Sequence, residues 1–200
     1  MVFLSRFLVT RVLCGSLMIF YSLLLSAPST YAQTADLITE KSQTPFGNLD
    51  KTPYLGNVVY SQQPDEKTIP LLKEQGVKMV LSVRYDDEPV GFDARKLIEE
   101  NGMSFVQISY LKGSINDTVR HVDDDAVTQI KQVIENSAAG GGKILLHCAS
   151  GQRAGAALGS ILYRDYGFSK EDARKYAEKA GLTSKNTGEV YDRYIDSIEK

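Results

Sequence analysis

Residues 143–155 read Lys-Ile-Leu-Leu-His-Cys-Ala-Ser-Gly-Gln-Arg-Ala-Gly, and they predict a strand, a tight loop and a helix in succession. The apolar run 144–146 is typical of a short strand that is covered on both faces of a sheet. The small residues after Arg153 allow a helix to begin close against that sheet, and we expect it to span residues 154–166. Cys148 is therefore expected at the N-terminus of a helix.

The position of Cys148 favours a nucleophilic thiolate. Backbone N–H groups and the dipole at a helix N-terminus stabilise negative charge, and such surroundings promote ionisation of a thiol. Arg153, five positions further on, can bind an oxyanion through two parallel hydrogen bonds. A thiolate, a set of N–H groups and an arginine together indicate transfer chemistry on a tetrahedral anion or on sulfur.

The pattern His147-Cys148-x-x-Gly151-x-Arg153-x-Gly155 resembles the signature of the cysteine-dependent protein tyrosine and dual-specificity phosphatases. In particular, about residues 55–183 are similar to small bacterial phosphatase-like domains of the DUF442 type (named for a β-lactamase-hydrolase-like protein). The resemblance implies an α/β fold in which a mostly parallel central sheet is flanked by helices. It also implies that Cys148 is the nucleophile and that Arg153 binds phosphate. The implied phosphate-binding loop comprises His147, Ala149, Ser150, Gly151, Gln152 and Ala154.

Two features of this loop differ from the usual phosphatase pattern. Four residues separate Cys148 from Arg153, whereas the phosphatases usually have five, and four is the length found in many rhodanese sulfurtransferases. Ala154 stands where the phosphatases usually have Ser or Thr, whose hydroxyl helps the thiolate to leave. Two alternatives to a phosphatase therefore stay open: a sulfurtransferase with a persulfide on Cys148, and a module that binds an anion without turnover.

Predicted strands and helices alternate before the loop. We expect strands at residues 57–61, 77–84 and 104–110, and helices at 68–75 and 94–100. This alternation predicts a parallel sheet with covering helices. Functional sites in such folds lie at the carboxyl ends of the strands, which is where the cysteine loop begins.

The resemblance to the phosphatases implies that the loop after the strand at 104–110 carries the general acid. A phosphatase needs a group that protonates the leaving oxygen as the ester bond breaks. Asp117 lies 31 positions before Cys148, a spacing typical of dual-specificity phosphatases, and it is our candidate; its alternative role is that of a turn residue. His121 is a second candidate acid, and Asp123 is expected to cap the helix that follows.

Two further patterns carry structural expectations. Arg84 ends one predicted strand, and we expect it to form a surface ion pair with Asp86 or Asp87; the alternative is that it orders the site. Gly155 and Gly159 lie four residues apart, so one face of the helix after the loop is expected to pack closely on the sheet. A last helix is expected near residues 189–198.

The N-terminus has the layout of a secretory signal peptide. Arg6 and Arg11 form a basic region, residues 12–25 are almost wholly apolar, and Ala32 precedes a plausible cleavage point. The apolar run is shorter than the ~20 residues of a membrane-spanning helix, although an uncleaved anchor is the alternative. We therefore expect a secreted or periplasmic chain without stable membrane insertion. Its predicted parts are a signal peptide (1–32), an extended polar lead-in (33–56) and a phosphatase-like domain (57–200).

Composition narrows the partners. The formal net charge of −2 gives no basic excess that would indicate nucleic-acid binding. After cleavage the chain keeps one cysteine, Cys148, so no disulfide can form within it. His121 and His147 are its histidines, and together with Cys148 they make no metal-ligand set. We expect no cofactor, and we expect a phosphorylated protein or small phosphoester as the partner; the oligomeric state stays open.

Overall fold

A computed structural model describes residue 35 and residues 37–198 of the 200-residue chain. The predicted signal peptide, residues 1–32, lies outside the described residues. Within the described ranges, no helix combines the length and the apolar character needed to cross a membrane.

A single mixed sheet forms the centre of the fold. Its strand order is β1-β2-β3-β6-β4-β5. The last four strands in this order run parallel to one another, whereas β1, β2 and β3 pair antiparallel. The mostly parallel sheet predicted from the sequence is confirmed. The strands are β1 (Glu40–Lys41), β2 (Tyr54–Leu55), β3 (Val58–Ser61), β4 (Val77–Ser82), β5 (Ser104–Gln107) and β6 (Lys143–His147).

Helices cover both faces of the sheet. On one face α3, α4, α5 and α6 enclose the larger core cluster, and on the other α1 and α2 enclose a smaller one. Strand β6 supplies both clusters, because Ile144 and Leu146 point to the larger and Leu145 to the smaller. The prediction of a strand covered on both faces is confirmed. The helices are α1 (Thr68–Glu74), α2 (Ala94–Glu100), α3 (Asp124–Ala139), α4 (Gln152–Tyr166), α5 (Lys170–Lys179) and α6 (Lys185–Ser197).

The segment predicted as an extended polar lead-in contributes to the sheet and to the core. Strand β1 pairs with β2, and β2 pairs with β3. Leu37, Leu49 and Leu55 are buried, with exposed fractions of 6%, 0% and 2%. These leucines are separated by long polar stretches, so they form no periodic pattern in the sequence.

Helix α4 contacts its neighbours at very short distances. A Cβ atom on Gly155 would lie 2.5 Å from the carbonyl oxygen of Ala177 and 2.6 Å from the backbone nitrogen of Leu182. A Cβ on Gly159 would lie 2.7 Å from the Cβ of Ala177 and 2.9 Å from the ring of Tyr191. The expectation that this glycine face packs on the sheet is therefore wrong. It packs on α5, the segment after α5, and α6, and these contacts fix the helix that follows the cysteine loop.

Candidate active site

Cys148 lies directly after the end of β6 and before the start of α4. Its side chain is fully buried, and Gly151 precedes the first helical residue, Gln152. The first N–H groups of a helix have no acceptor within the helix, so the start of α4 supplies free donors next to the cysteine. The predicted order of strand, loop and helix is confirmed, although α4 begins two residues before the expected start.

The loop is fixed by contacts on both sides. Gly151 has a φ of 85°, in the left-handed region that favours glycine. On one side the backbone N–H of Gln63 donates to the carbonyl oxygen of Ala149 at 3.2 Å. On the other side the Gln152 side-chain oxygen accepts from the backbone nitrogens of Thr183 and Ser184, at 2.7 Å each. The loop is therefore held between β3 and the segment that leads into α6.

Arg153 binds a carboxylate that the sequence analysis did not identify. Its Nη1 lies 2.7 Å from Oε2 of Glu88 and its Nη2 lies 2.9 Å from Oε1, and the two side chains are only 11% and 9% exposed. This pair uses one hydrogen on each Nη atom. Glu88 does not use the Nε–H or the second hydrogen of each Nη, and the guanidinium also forms a side-chain hydrogen bond with Cys148. Glu88 thus orients the guanidinium and leaves one of its edges for a ligand.

Arg84 belongs to the same buried network. It is 6% exposed, its Nη2 lies 3.3 Å from Oε1 of Glu88 and 2.7 Å from the carbonyl oxygen of Pro89, and its Nη1 lies 3.0 Å from Oε1 of Gln63. The expected surface pair with Asp86 or Asp87 is wrong, because the chain turns inward after β4. The alternative, that Arg84 orders the site, agrees with these contacts.

The network carries two positive charges and one negative charge beside the cysteine. Burial raises the pKa of Glu88, but the hydrogen bond and charge of Arg153 and the charge of Arg84 outweigh it, so the pKa is lowered and Glu88 stays ionised. Burial acts to lower the pKa of Arg153. The contacts with Glu88 and the charge on Cys148 outweigh burial, so the pKa is raised and the guanidinium stays protonated. The network therefore places a net positive charge beside Cys148.

Tyr85 lies beside Arg153. Its ring centre is 5.5 Å from the Arg153 guanidinium carbon, and the side chain is 1% exposed. Burial raises its pKa; the charges on Arg120 and Arg153 oppose the rise, and those on Asp117 and Glu88 add to it. Its hydroxyl is buried without a hydrogen-bond partner among the described residues.

Asp117 has the turn role that the sequence offered as its alternative, and it also lies on the cavity wall. One of its carboxylate oxygens accepts the backbone N–H of Ser114 at 2.9 Å, so it closes a turn. The turn needs Gly113, whose φ is 84°, because a Cβ there would lie 1.9 Å from that oxygen. Asp117 also lines the cavity that contains Arg153. The structure therefore brings this candidate acid to the site.

The acid loop, which we define as residues 111–123, is attached by hydrogen bonds to the segment that carries Glu88. Asp87 accepts hydrogen bonds from the Ser114 hydroxyl at 2.5 Å and from the Ile115 backbone nitrogen at 3.2 Å. His121 is exposed and is not among the residues of the cavity wall. Asp123 caps α3 by accepting from the Asp125 nitrogen at 3.1 Å, as predicted.

His147 lies behind the loop. It is 1% exposed, and its Nδ1 lies 3.2 Å from the carbonyl oxygen of Cys148. Burial lowers its pKa to about 4, so the ring is neutral near pH 7 and cannot supply a proton. Ala154 is fully buried in the larger core and does not face the cavity. Neither His147 nor Ala154 lines the cavity, although both were predicted as part of the phosphate-binding loop.

The cavity has a volume of about 720 Å³. The cysteine loop, the segment after β4, the acid loop and α6 each contribute to it. Helix α6 begins at Lys185, four residues before the expected start, and this extra turn adds Asn186 and Thr187 to the cavity wall. The described residues contain no group of three His, Cys, Asp or Glu side chains placed to hold a metal ion. The wall of the cavity includes Glu88, Asp117, Val119, Arg120, Ala149, Ser150, Gln152, Arg153, Glu189 and Arg193.

Comparisons with known proteins support one fold. No protein-family model and no curated protein matches the chain. TpbA from P. aeruginosa, also solved in complex with pTyr, is 20% identical over 80% of this chain and 90% of its own, with a TM-score of 0.57. The catalytic core of Siw14, the PP-IP phosphatase of S. cerevisiae, is 17% identical over 80% and 89%, with a TM-score of 0.58. A DUF442 phosphatase from Shewanella putrefaciens is 16% identical over 86% and 96%, with a TM-score of 0.54. The chain therefore has the fold of the cysteine-dependent protein tyrosine phosphatases, as the resemblance of its loop predicted.

Proposed function

We propose that the chain is a cysteine-dependent phosphatase that hydrolyses phosphate monoesters through a cysteinyl-phosphate intermediate. One observation carries this proposal. Buried Cys148 lies at the N-terminus of α4, with Arg153 and Asp117 both on the adjoining cavity. The fold shared with TpbA and the DUF442 phosphatase supports the proposal, and the TpbA complex with pTyr makes phosphotyrosine a reasonable first substrate to test.

In the first step the Cys148 thiolate attacks phosphorus. An S–P bond forms, and the P–O bond to the leaving group breaks. The loop N–H groups and the free edge of Arg153 bind the equatorial oxygens, which carry the developing charge. Protonated Asp117 gives its proton to the leaving oxygen.

In the second step water attacks phosphorus and the S–P bond breaks. The Asp117 carboxylate takes a proton from that water, and the cysteine leaves as a thiolate. Ala154 supplies no hydroxyl to the departing sulfur, so the positive charge of Arg153 and Arg84 must stabilise it. We therefore expect breakdown of the intermediate to limit turnover, which rapid mixing would detect as a burst of the first product.

The four-residue loop favours a second candidate, a sulfurtransferase. Cys148 would attack the outer sulfur of thiosulfate, form a persulfide and release sulfite. Cyanide would then take that sulfur as thiocyanate and regenerate the thiolate. Asp117 has no proton to deliver in this cycle, so its presence on the cavity favours the phosphatase.

A paired assay separates the candidates. The purified, reduced chain and its Cys148→Ser variant receive either an aryl phosphate or thiosulfate with cyanide. Phosphate release that disappears in the variant supports the phosphatase. Thiocyanate without phosphate release would overturn it in favour of the sulfurtransferase. Binding of phosphate without either product would indicate an anion-binding module.

We also propose that the chain acts outside the cytoplasm. The basic, apolar and small-residue regions of residues 1–32 support this location. Mass spectrometry of the chain recovered from a secreting bacterial host would then give a mature N-terminus at Gln33. Recovery of an intact N-terminus in the membrane fraction would support an uncleaved anchor instead.

A further inference from the structure

We infer that the candidate active site takes phosphoesters with a second anionic group, which Arg120 and Arg193 bind at the mouth of the cavity. The inference rests on the proposed function, because it places the reacting phosphate at Arg153. It adds the part of the substrate that lies away from the reacting bond.

The two arginines come from different elements and meet at one point. Arg120 lies at the end of the acid loop, and Arg193 lies on α6. The Nη2 of Arg193 donates to the main-chain oxygen of Arg120 at 3.2 Å. Both line the same cavity as Arg153 and Asp117. The contact between them joins α6 to the end of the acid loop and places both arginines on one cavity wall.

Three charged residues of the cavity wall, Asp117, Arg120 and Arg193, have no ion-pair partner among the described residues. Arg153 is paired with Glu88, and Glu189 has Lys185 at 3.8 Å. In the described part of the chain, no carboxylate lies within ion-pair distance of Arg120 or Arg193. Two positive charges thus lack an internal counter-ion on a chain whose formal net charge is −2. An anion from outside is the partner that this arrangement fits.

The dimensions of the cavity agree with a substrate that reaches from loop to mouth. Its volume of about 720 Å³ lies within the range of sites for small molecules, roughly 300–1,000 Å³. Arg153 lies at the loop end of this cavity and Arg120 belongs to the segment before α3, so a ligand in the cavity can contact both. Val119, which is 61% exposed, gives the middle of such a substrate an apolar contact beside Arg120.

The second anion can come from two sources with the same chemistry. It can be another phosphate on a small phosphoester, or a carboxylate next to a phosphorylated side chain in a peptide. Both bind a guanidinium through charged hydrogen bonds. The arms of the test below distinguish them.

A binding titration tests the inference without turnover. The purified chain carrying Cys148→Ser is titrated with orthophosphate and with tripolyphosphate by calorimetry. We expect the added changes Arg120→Gln and Arg193→Gln to weaken tripolyphosphate about tenfold more than orthophosphate, since each exposed charge contributes only modestly. Arg95→Gln, an exposed arginine outside this cavity, is the matched control and leaves the ratio of the two affinities unchanged.

Lysine variants separate charge from loop position. Arg120→Lys with Arg193→Lys keeps both charges and should recover most of the preference for tripolyphosphate. High salt should reduce that preference in the unchanged chain, because exposed charges are screened. Equal weakening of both anions in the glutamine variant would indicate that the arginines merely hold the loop, and the inference would be overturned. Unchanged affinities would overturn it as well.

Kinetic arms identify the source of the second anion. The substrates are p-nitrophenyl phosphate, an aryl bisphosphate, and phosphotyrosyl peptides with Glu or Ala next to the phosphotyrosine. A higher kcat/KM for the bisphosphate, or for the Glu peptide over the Ala peptide, which falls in the glutamine variant, assigns the source. Turnover of p-nitrophenyl phosphate without either preference would leave the phosphatase standing and overturn this inference. Absence of all turnover would instead count against the phosphatase, and the titration would still decide the binding site.

Discussion

Glu88 and Asp117 line the same cavity, but the structure holds these two carboxylates in opposite environments. Glu88 is 9% exposed and lies between two arginines, which lower its pKa despite its burial. Asp117 lies on an exposed turn, where its hydrogen-bond donor is the backbone N–H of Ser114. A carboxylate locked between arginines stays ionised and cannot deliver a proton. Glu88 is therefore suited to orienting the arginines, whereas no ion pair holds Asp117 among the described residues.

Removal of the Glu88 charge should have the largest effect on the fold. Glu88→Gln leaves Arg84 and Arg153 buried without a negative partner, which typically costs about 3–5 kcal/mol of unfolding free energy. Urea unfolding followed by circular dichroism measures it. The matched control is Glu99→Gln, which removes a surface pair with Arg95 at 3.5 Å. A loss for Glu88→Gln no greater than for this control would mean that the buried network contributes nothing special.

Asp117→Asn should affect catalysis and spare the fold. If Asp117 is the general acid, kcat for an alkyl phosphate should fall about a hundredfold, within the range for lost acid catalysis. The loss should be smaller for p-nitrophenyl phosphate, whose leaving group needs no proton. The unfolding free energy should change by about 0.5 kcal/mol or less, as at other exposed positions. An unchanged kcat for the alkyl ester would remove Asp117 from the mechanism.

Acid titration should distinguish Glu88 by its effect on stability. Its pKa is lowered in the folded chain, so its stabilisation is complete above the ordinary value of 4.5 and is lost as the pH falls through the folded pKa. The difference in unfolding free energy between the unchanged chain and Glu88→Gln should therefore shrink below that pH. A difference that stayed constant between about pH 6 and about pH 3 would contradict the ion-pair assignment.

The smallest effect is expected at Asp87, which connects the acid loop to the segment that carries Glu88. Asp87→Asn weakens acceptance from Ser114 and Ile115 but leaves the buried network intact. We expect kcat to fall roughly two- to fivefold, since contacts at exposed charges are weak. Stability should not change. An effect on kcat as large as that of Asp117→Asn would show that loop position, and not the acid itself, controls the rate.

Local sequence predicted the nucleophile side of the site well. Cys148 and Arg153 lie on one continuous stretch, and strand, loop and helix follow directly from its apolar and small residues. Asp117 was predicted from the resemblance, which gives both the position of its loop and its spacing from Cys148, and its role as an acid stays a prediction. Helix α6 was predicted too short because residues 185–188, Lys-Asn-Thr-Gly, carry no apolar period. The first turn that the prediction missed contributes Asn186 and Thr187 to the cavity wall.

Glu88 and Arg84 could not be placed from local pattern. Glu88 contacts Arg153 across 65 positions, and nothing in the segment after β4 distinguishes a buried carboxylate from the exposed Asp86 and Asp87. One signal was available. Strands β4 and β6 are neighbours in the parallel sheet, so residues that follow one strand lie beside residues that follow the other. An arginine and a glutamate four positions apart after β4 were therefore candidates for the site.

The position of β6 between β3 and β4 has a consequence for how the chain folds as it is made. Strands β3 and β4 are synthesised early, but they do not pair with each other. Each has one edge that pairs with β6, whose first residue is Lys143. Closing this gap requires contacts between residues far apart in sequence, which slow folding. The strand that completes the sheet is the same strand that ends at the cysteine, so a chain stopped before residue 143 should expose unpaired strand edges and be cleared by proteases. Completion of the sheet and placement of the cysteine at its edge are therefore one event.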